Sequence, residues 1–147
     1  MTNQAIQEEE LSGFNITVGY ELTEWSEGHA VLELDLEPRH LNRTGVLHGG
    51  VIATMLDAVC GYAGQYCSEP GNIRYAVTLS LTTNFLGQAK TGRVRCVARR
   101  TGGGRKIYFC AGEMFNENGD LIATGEGVYR LRTGSEDLKG VPRDAPI

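Results

Sequence analysis

At 147 residues, with a net charge of −4 and four scattered cysteines, the chain fits one domain with a hydrophobic core of its own. No window reaches the roughly 18 uninterrupted apolar residues of a membrane span, and the start MTNQAIQEEE lacks the basic-then-apolar pattern of a signal peptide. Cys60, Cys67, Cys96 and Cys110 form no CxxC pair, and His29, His40 and His48 lie far apart, so the expectation is a soluble cytoplasmic protein with reduced, packed thiols and no metal.

Residues 1–12 read as a frayed or helical lead. Ala30–Glu37 alternates, with Leu32, Leu34 and Leu36 on one face and Glu33, Asp35 and Glu37 on the other, which predicts a half-buried strand. His40–Leu47 is a loop feeding a helix over Val51–Tyr66, apolar around almost its whole circumference and therefore buried. SEPGNIR, Ser68–Arg74, breaks the chain after it. Val77–Phe85 alternates again, with Val77, Leu79, Leu81 and Phe85 set against Thr78, Ser80, Thr82 and Asn84. Strands follow at Gly92–Arg100, Lys106–Phe115 and Leu121–Leu131. They are joined by TGGGR (Thr101–Arg105) and by NENGD (Asn116–Asp120), where Asn118-Gly119 suits a primed hairpin turn. Residues 133–147 form a polar tail expected to lack structure.

A strand, one buried helix and then four antiparallel strands is solved most simply by a single sheet curled around that helix. The fold expected over residues 13–132 is therefore α+β, a hotdog fold.

The helix carries one acid. Thr54, Asp57, Gly61 and Gln65 fall on one stripe, and Asp57 is the only acid between Glu37 and Glu69. A carboxylate in an apolar helix costs several kcal/mol unless it is paired or used, so Asp57 is the candidate for acid–base chemistry. The other reading is a structural carboxylate that caps a neighbouring loop or pairs with an arginine. Gly49 and Gly50 open the helix, where amides without intrahelical partners meet the positive end of the dipole. Such an end can hold a developing oxyanion, although a tight turn alone would also require glycines.

Gly49 and Asp57 are eight residues apart, about 12 Å along a helix. A base and an oxyanion donor serving one carbonyl must each lie about 3 Å from the same small site. One helix cannot bring both together; two copies related by a two-fold axis can. If both residues act, the active unit is a homodimer.

Charge is unevenly spread. Seven of the fourteen basic residues (Lys90, Arg93, Arg95, Arg99, Arg100, Arg105 and Lys106) lie within 17 residues that contain no acid. Such a block suits a small anionic ligand better than nucleic acid, which favours a broader basic surface. Solvation of a strand's outer face explains it equally well.

Asn42, Gly45, His48-Gly49-Gly50, six residues and Asp57 together resemble the PaaI-like acyl-CoA thioesterases of the hotdog superfamily. The resemblance runs from about Gly13 to Arg132 and includes VTLSLTTNFL and GEMFNENGDLIATGEG. It implies that Asp57 is the catalytic carboxylate, acting as general base on water or as nucleophile, and Gly49 the oxyanion amide. Asn42 would help position the thioester or water, His48 would support the loop and the carbonyl, and Thr78 would orient the nucleophilic water. It further implies that CoA phosphates lie near the basic block, with Arg100, Gly103 and Arg105 as the candidate contacts.

The activity so implied is hydrolysis of an acyl- or aryl-CoA thioester by a homodimer, assembled further into a homotetramer. No cofactor is expected, because CoA belongs to the substrate. Two other readings remain: a hotdog hydratase or dehydratase acting on acyl-CoA, and a non-catalytic acyl-CoA-binding protein. No HFP-type loop is present for the first.

Overall fold

The apolar run forms one long helix laid across a six-stranded antiparallel sheet. The structure, a computed structural model, describes residues 3–146. In chain order the elements are α1 (Gln4–Glu8), α2 (Gly13–Val18), β1 (Glu21–Ser26), β2 (His29–Asp35), a 3-10 turn (Pro38–His40), α3 (Gly49–Gly64), β3 (Asn72–Ile73), β4 (Ala76–Phe85), β5 (Arg93–Gly103), β6 (Ile107–Phe115), β7 (Leu121–Leu131) and β8 (Val141–Pro142). The main sheet has the order β1-β2-β5-β6-β7-β4, while β3 and β8 form a separate pair. This is the expected hotdog arrangement.

Alternation decides what each strand turns toward α3. Leu32, Cys96, Met114 and Ala123 lie in register across four strands and are buried, as are Ile52, Met55, Leu56, Val59, Cys60 and Ala63 of the helix. Gly112 and Gly125 face one another across β6 and β7. A Cβ at either would stand 3.3 Å from the Leu56 side chain. Two missing side chains thus let the helix settle close to the sheet.

The opposite side of α3 is less covered than its composition suggests. Val51, Thr54, Asp57 and Ala58 are only half-buried within the subunit. Gly61, counted on the polar stripe, is instead buried beneath the Tyr129 ring, whose nearest atom would lie 3.6 Å from a Cβ there.

Several expectations are corrected. Strand β1 went unforeseen because ELTEWS buries only Trp25, too little for an alternation to register. TGGGR is not all loop: β5 runs through Gly103, and Gly104 closes the turn by donating to the Ile107 carbonyl at 2.7 Å. The Asn118-Gly119 turn is not primed, since only Gly119 has positive φ (+83°) and Gly119 N–H donates to the Asn116 carbonyl. It is a turn of the commoner hand closed by a left-handed glycine, with Asn116 Oδ1 accepting from the amides of Asn118 and Asp120, each at 3.0 Å.

The tail is ordered as far as it is described. Ser135 is fully buried, β8 pairs with β3, and the buried Arg74 guanidinium donates to the carbonyls of Ser135, Glu136, Gly64 and Tyr66. Polar composition misled here because the stabilising partner is a buried cation seeking carbonyl oxygens, not an apolar surface.

Candidate active site

The loop before α3 is wound around Asn42. Its Oδ1 accepts from Thr44 N–H (2.9 Å), Thr44 Oγ1 (2.7 Å) and Val46 N–H (3.2 Å), and its carbonyl accepts from Gly45 N–H. Gly45 turns the chain at φ +81°, a conformation glycine adopts freely. Asn42 Oδ1 is therefore occupied by the loop, and only the Nδ2 amide is left to face a ligand. Behind it, buried His40 accepts from Glu37 N–H at Nδ1 and donates from Nε2 to the Val18 carbonyl, tying the loop to α2.

His48 is the N-cap of α3. Its Nδ1 accepts from Gly50 N–H at 2.8 Å, and its carbonyl accepts from Val51 and Ile52. An imidazole that accepts at Nδ1 is neutral and carries its proton on Nε2, here on an exposed ring. With three amides of the first turn satisfied, the Gly49 amide has no partner among the described residues. It lies at the positive end of the helix dipole, with the Phe85 ring beside it: a Cβ at Gly49 would meet that ring at 3.3 Å.

Two turns further on, Thr78 Oγ1 donates to Asp57 Oδ1 at 2.8 Å. Strict alternation along β4 would place Thr78 on the same face as Ser80, Thr82 and Asn84. A register shift between Thr78 and Ser80 prevents this. One extra residue, Leu79, flips the faces, so Thr78 pairs with inward-facing Tyr129 while Ser80, Thr82 and Asn84 pair with Val128, Glu126 and Thr124.

Tyr129 completes the surroundings of the carboxylate, and the sequence reading missed it. Its hydroxyl donates to the Asp57 carbonyl at 2.9 Å and lies 3.2 Å from Asp57 Oδ1. Burial, then the neighbouring Cys60 and Asp57, raise the phenol far above its ordinary range and keep it protonated. The one available signal was glycine at the two inward positions directly before it, Gly125 and Gly127, since a ring can lie flat only where neighbours have no side chain. A Cβ at Gly127 would stand 2.3 Å from the Tyr129 ring.

The basic block is divided by the acids that stand beside it. Arg93 pairs with Glu21, Glu33 and Asp35, and Arg95 with Glu24. Arg100 curls back onto its own hairpin, donating to the carbonyls of Gly102 (3.2 Å) and Gly104 (3.0 Å) with its guanidinium 5.9 Å above the Tyr108 ring. Gly103 is demanded by the backbone: its φ is +123° and a Cβ would stand 2.4 Å from the Ile107 carbonyl. Arg99 and Arg105 are exposed and make no ion pair among the described residues. Of the three phosphate candidates, Arg105 alone extends freely; Arg100 and Gly103 shape the turn that carries it.

Cys60 is no nucleophile. Burial pushes its thiol up to about 12, and Cys96 and Cys110 are buried beside it in the core. Among the described residues, no helix is long and apolar enough to cross a membrane.

The sequence model of the thioesterase superfamily matches residues 44–123, a span holding Gly49, Asp57, Thr78 and the β5–β6 hairpin. Acyl-coenzyme A thioesterase 13 of Mus musculus is 31% identical over 103 residues, covering 69% of this chain and 71% of that one. A conserved protein of Pseudomonas aeruginosa, PA5202, has a solved structure that superposes with TM-score 0.74 at 28% identity, over 89% of this chain and 99% of that one. The thioesterase HI1161 of Haemophilus influenzae shares the fold at TM-score 0.70 and 22% identity, covering 86% and 92% of the two chains. With the family match spanning more than half of its length, the chain belongs to the thioesterase superfamily and is a hotdog-fold thioester hydrolase of the PaaI-like kind.

Proposed function

We propose that the protein hydrolyses acyl- or aryl-CoA thioesters at two equivalent sites of a homodimer. The observation that carries this reading is the Asp57 carboxylate on the half-open side of α3, with one oxygen held by Thr78 and an unpaired amide waiting at Gly49 of the same helix. The spacing of about 12 Å keeps those two apart within one subunit. In the dimer, Asp57 of one subunit faces Gly49 of the partner subunit. The thioester carbonyl accepts from that amide while Asp57 either removes a proton from water or attacks directly. Where water attacks, the tetrahedral intermediate expels CoA thiolate, which takes up the proton held by Asp57. Where Asp57 attacks, the same expulsion leaves a mixed anhydride that water then hydrolyses, supplying the thiolate's proton. Either route consumes one water and gives a free acid and CoA.

His48 Nε2–H and Asn42 Nδ2, carried by the loop that leads into Gly49, serve the carbonyl or the water; Arg105 and the β5–β6 turn serve the CoA phosphates. Support for the pairing comes from β4, an edge strand with a free row of backbone groups. It displays Val77, Leu79 and Phe85 at 39%, 53% and 55% exposure, an apolar border that a second copy would cover.

The test is thiol release from aryl, short-chain and long-chain acyl-CoA, alongside the native mass. Asp57→Asn is expected to abolish turnover with an unchanged circular dichroism spectrum, and the parent to run as a dimer or tetramer. Near-full activity of the variant, or an active monomer, overturns the proposal.

A further inference from the structure

Two tyrosines grip α3 at carbonyls four residues apart. Tyr129 donates to the Asp57 carbonyl and Tyr108 to the Gly61 carbonyl, each at 2.9 Å. The rings are direct cross-strand partners on β6 and β7, stacked 5.2 Å apart with 11° between their planes. That spacing lies between the ~4.8 Å step from strand to strand and the ~5.4 Å pitch of a helix, so rungs of helix and sheet come into step there. The chain clears space for both rings: Cβ atoms at Gly64 and Gly127 would stand 1.9 Å and 2.3 Å from Tyr108 and Tyr129.

We infer that Tyr129 is a positioning residue for Asp57, fixing the axial register of α3 and the orientation of its carboxylate. The inference rests on the role given to Asp57 above. Thr78 and Tyr129 both converge on Oδ1, at 2.8 Å and 3.2 Å, while Oδ2 takes no hydrogen bond from the described residues. Oδ1 is thereby the anchored oxygen, and Oδ2 is the one presented to water or thioester. Tyr108 repeats the backbone grip one turn later but touches no carboxylate. It supplies the built-in comparison between holding the helix and aiming the acid.

The experiment sets Tyr129→Phe beside Tyr108→Phe in the full-length protein, with kcat, KM and Tm measured for each. Both variants lose one hydrogen bond to a helix carbonyl and are expected to lower Tm by a similar amount. Only Tyr129→Phe is expected to lower kcat, by about 3- to 10-fold for one lost hydrogen bond, with KM within about 2-fold of the parent. Gly127→Ala, which displaces the same ring from the strand side, is expected to reproduce that kcat loss should Tyr129→Phe fold poorly. Equal kcat in the two Phe variants, or an undiminished kcat in Gly127→Ala, overturns the inference. Retention of activity in Asp57→Asn would instead remove the Asp57 reading itself, so the two failures are told apart.

Discussion

Phe85 lies against Gly49, its ring carbon 3.3 Å from where a Cβ would project, although the ring is more than half exposed. The helix start is thus bordered by an aromatic side chain that is free to yield. Gly49→Ala is expected to leave Tm nearly unchanged, because the ring can swing outward. The new methyl group would occupy the approach of a carbonyl to the Gly49 amide, lowering kcat/KM by about 10-fold or more. Steady-state kinetics with a thermal melt separates the two effects; a large fall in Tm would mean the glycine serves packing.

Thr78 can be tested at constant shape. Thr78→Val removes the hydroxyl that donates to Asp57 Oδ1 and is expected to cost about 10-fold in kcat, the worth of one hydrogen bond to a charged group. Thr78→Ser keeps the donor and should retain most of the activity. Equal activity in the two variants would show that the hydroxyl is idle.

Glu9 gives the fold a pH dependence. Burial raises its carboxyl above the usual range, partly offset by Arg143 and by a hydrogen bond from Tyr62. A carboxyl that holds its proton more tightly when folded favours the fold below its unfolded value, about 4.3. That contribution is lost as pH rises through the elevated folded value. Glu9→Gln is uncharged throughout and is expected to have a higher Tm than the parent at pH 8 and no advantage at pH 4. Parallel Tm curves across that range would refute the assignment.

Arg74 is a strut. Its guanidinium donates to four carbonyls at 2.8–3.4 Å, two of them from Ser135 and Glu136. Deleting residues 133–147 leaves a buried cation short of acceptors, and a loss of about 2–4 kcal/mol is expected. For a domain of this size that is a fall of roughly 4–16 °C in Tm. An unchanged melt would show that the tail merely rests on the surface.

The sequence exposed the parts of this protein that obey a period. Helix α3 and strands β2, β6 and β7 are each set by apolar spacing, and Gly49 and Asp57 stand out as glycine and acid where apolar residues are the rule. It concealed what depends on a break in the period or on partners distant along the chain. The bulge at Leu79 leaves no mark in VTLSLTTNFL, yet it alone turns Thr78 inward. Tyr129 meets Asp57 across 72 positions, and Arg74 meets the tail across about 60, separations at which composition says nothing. The arginine block was visible as charge, but the acids of β1 and β2 that strand pairing brings beside Arg93 and Arg95, leaving Arg105 free in the turn beyond β5, were not.

The order β1-β2-β5-β6-β7-β4 has a consequence for how the chain comes into being. Strand β4 leaves the ribosome before β5 and β6, yet its only sheet neighbour among the described residues is β7, about 40 residues later. Until β7 arrives, an apolar ribbon stays unpaired in the nascent chain, and pairings this distant are slow to form. The Thr78–Asp57 contact is consequently among the last to close during synthesis. Chaperone protection is expected to matter most in that interval, and a truncated product ending before Leu121 should aggregate.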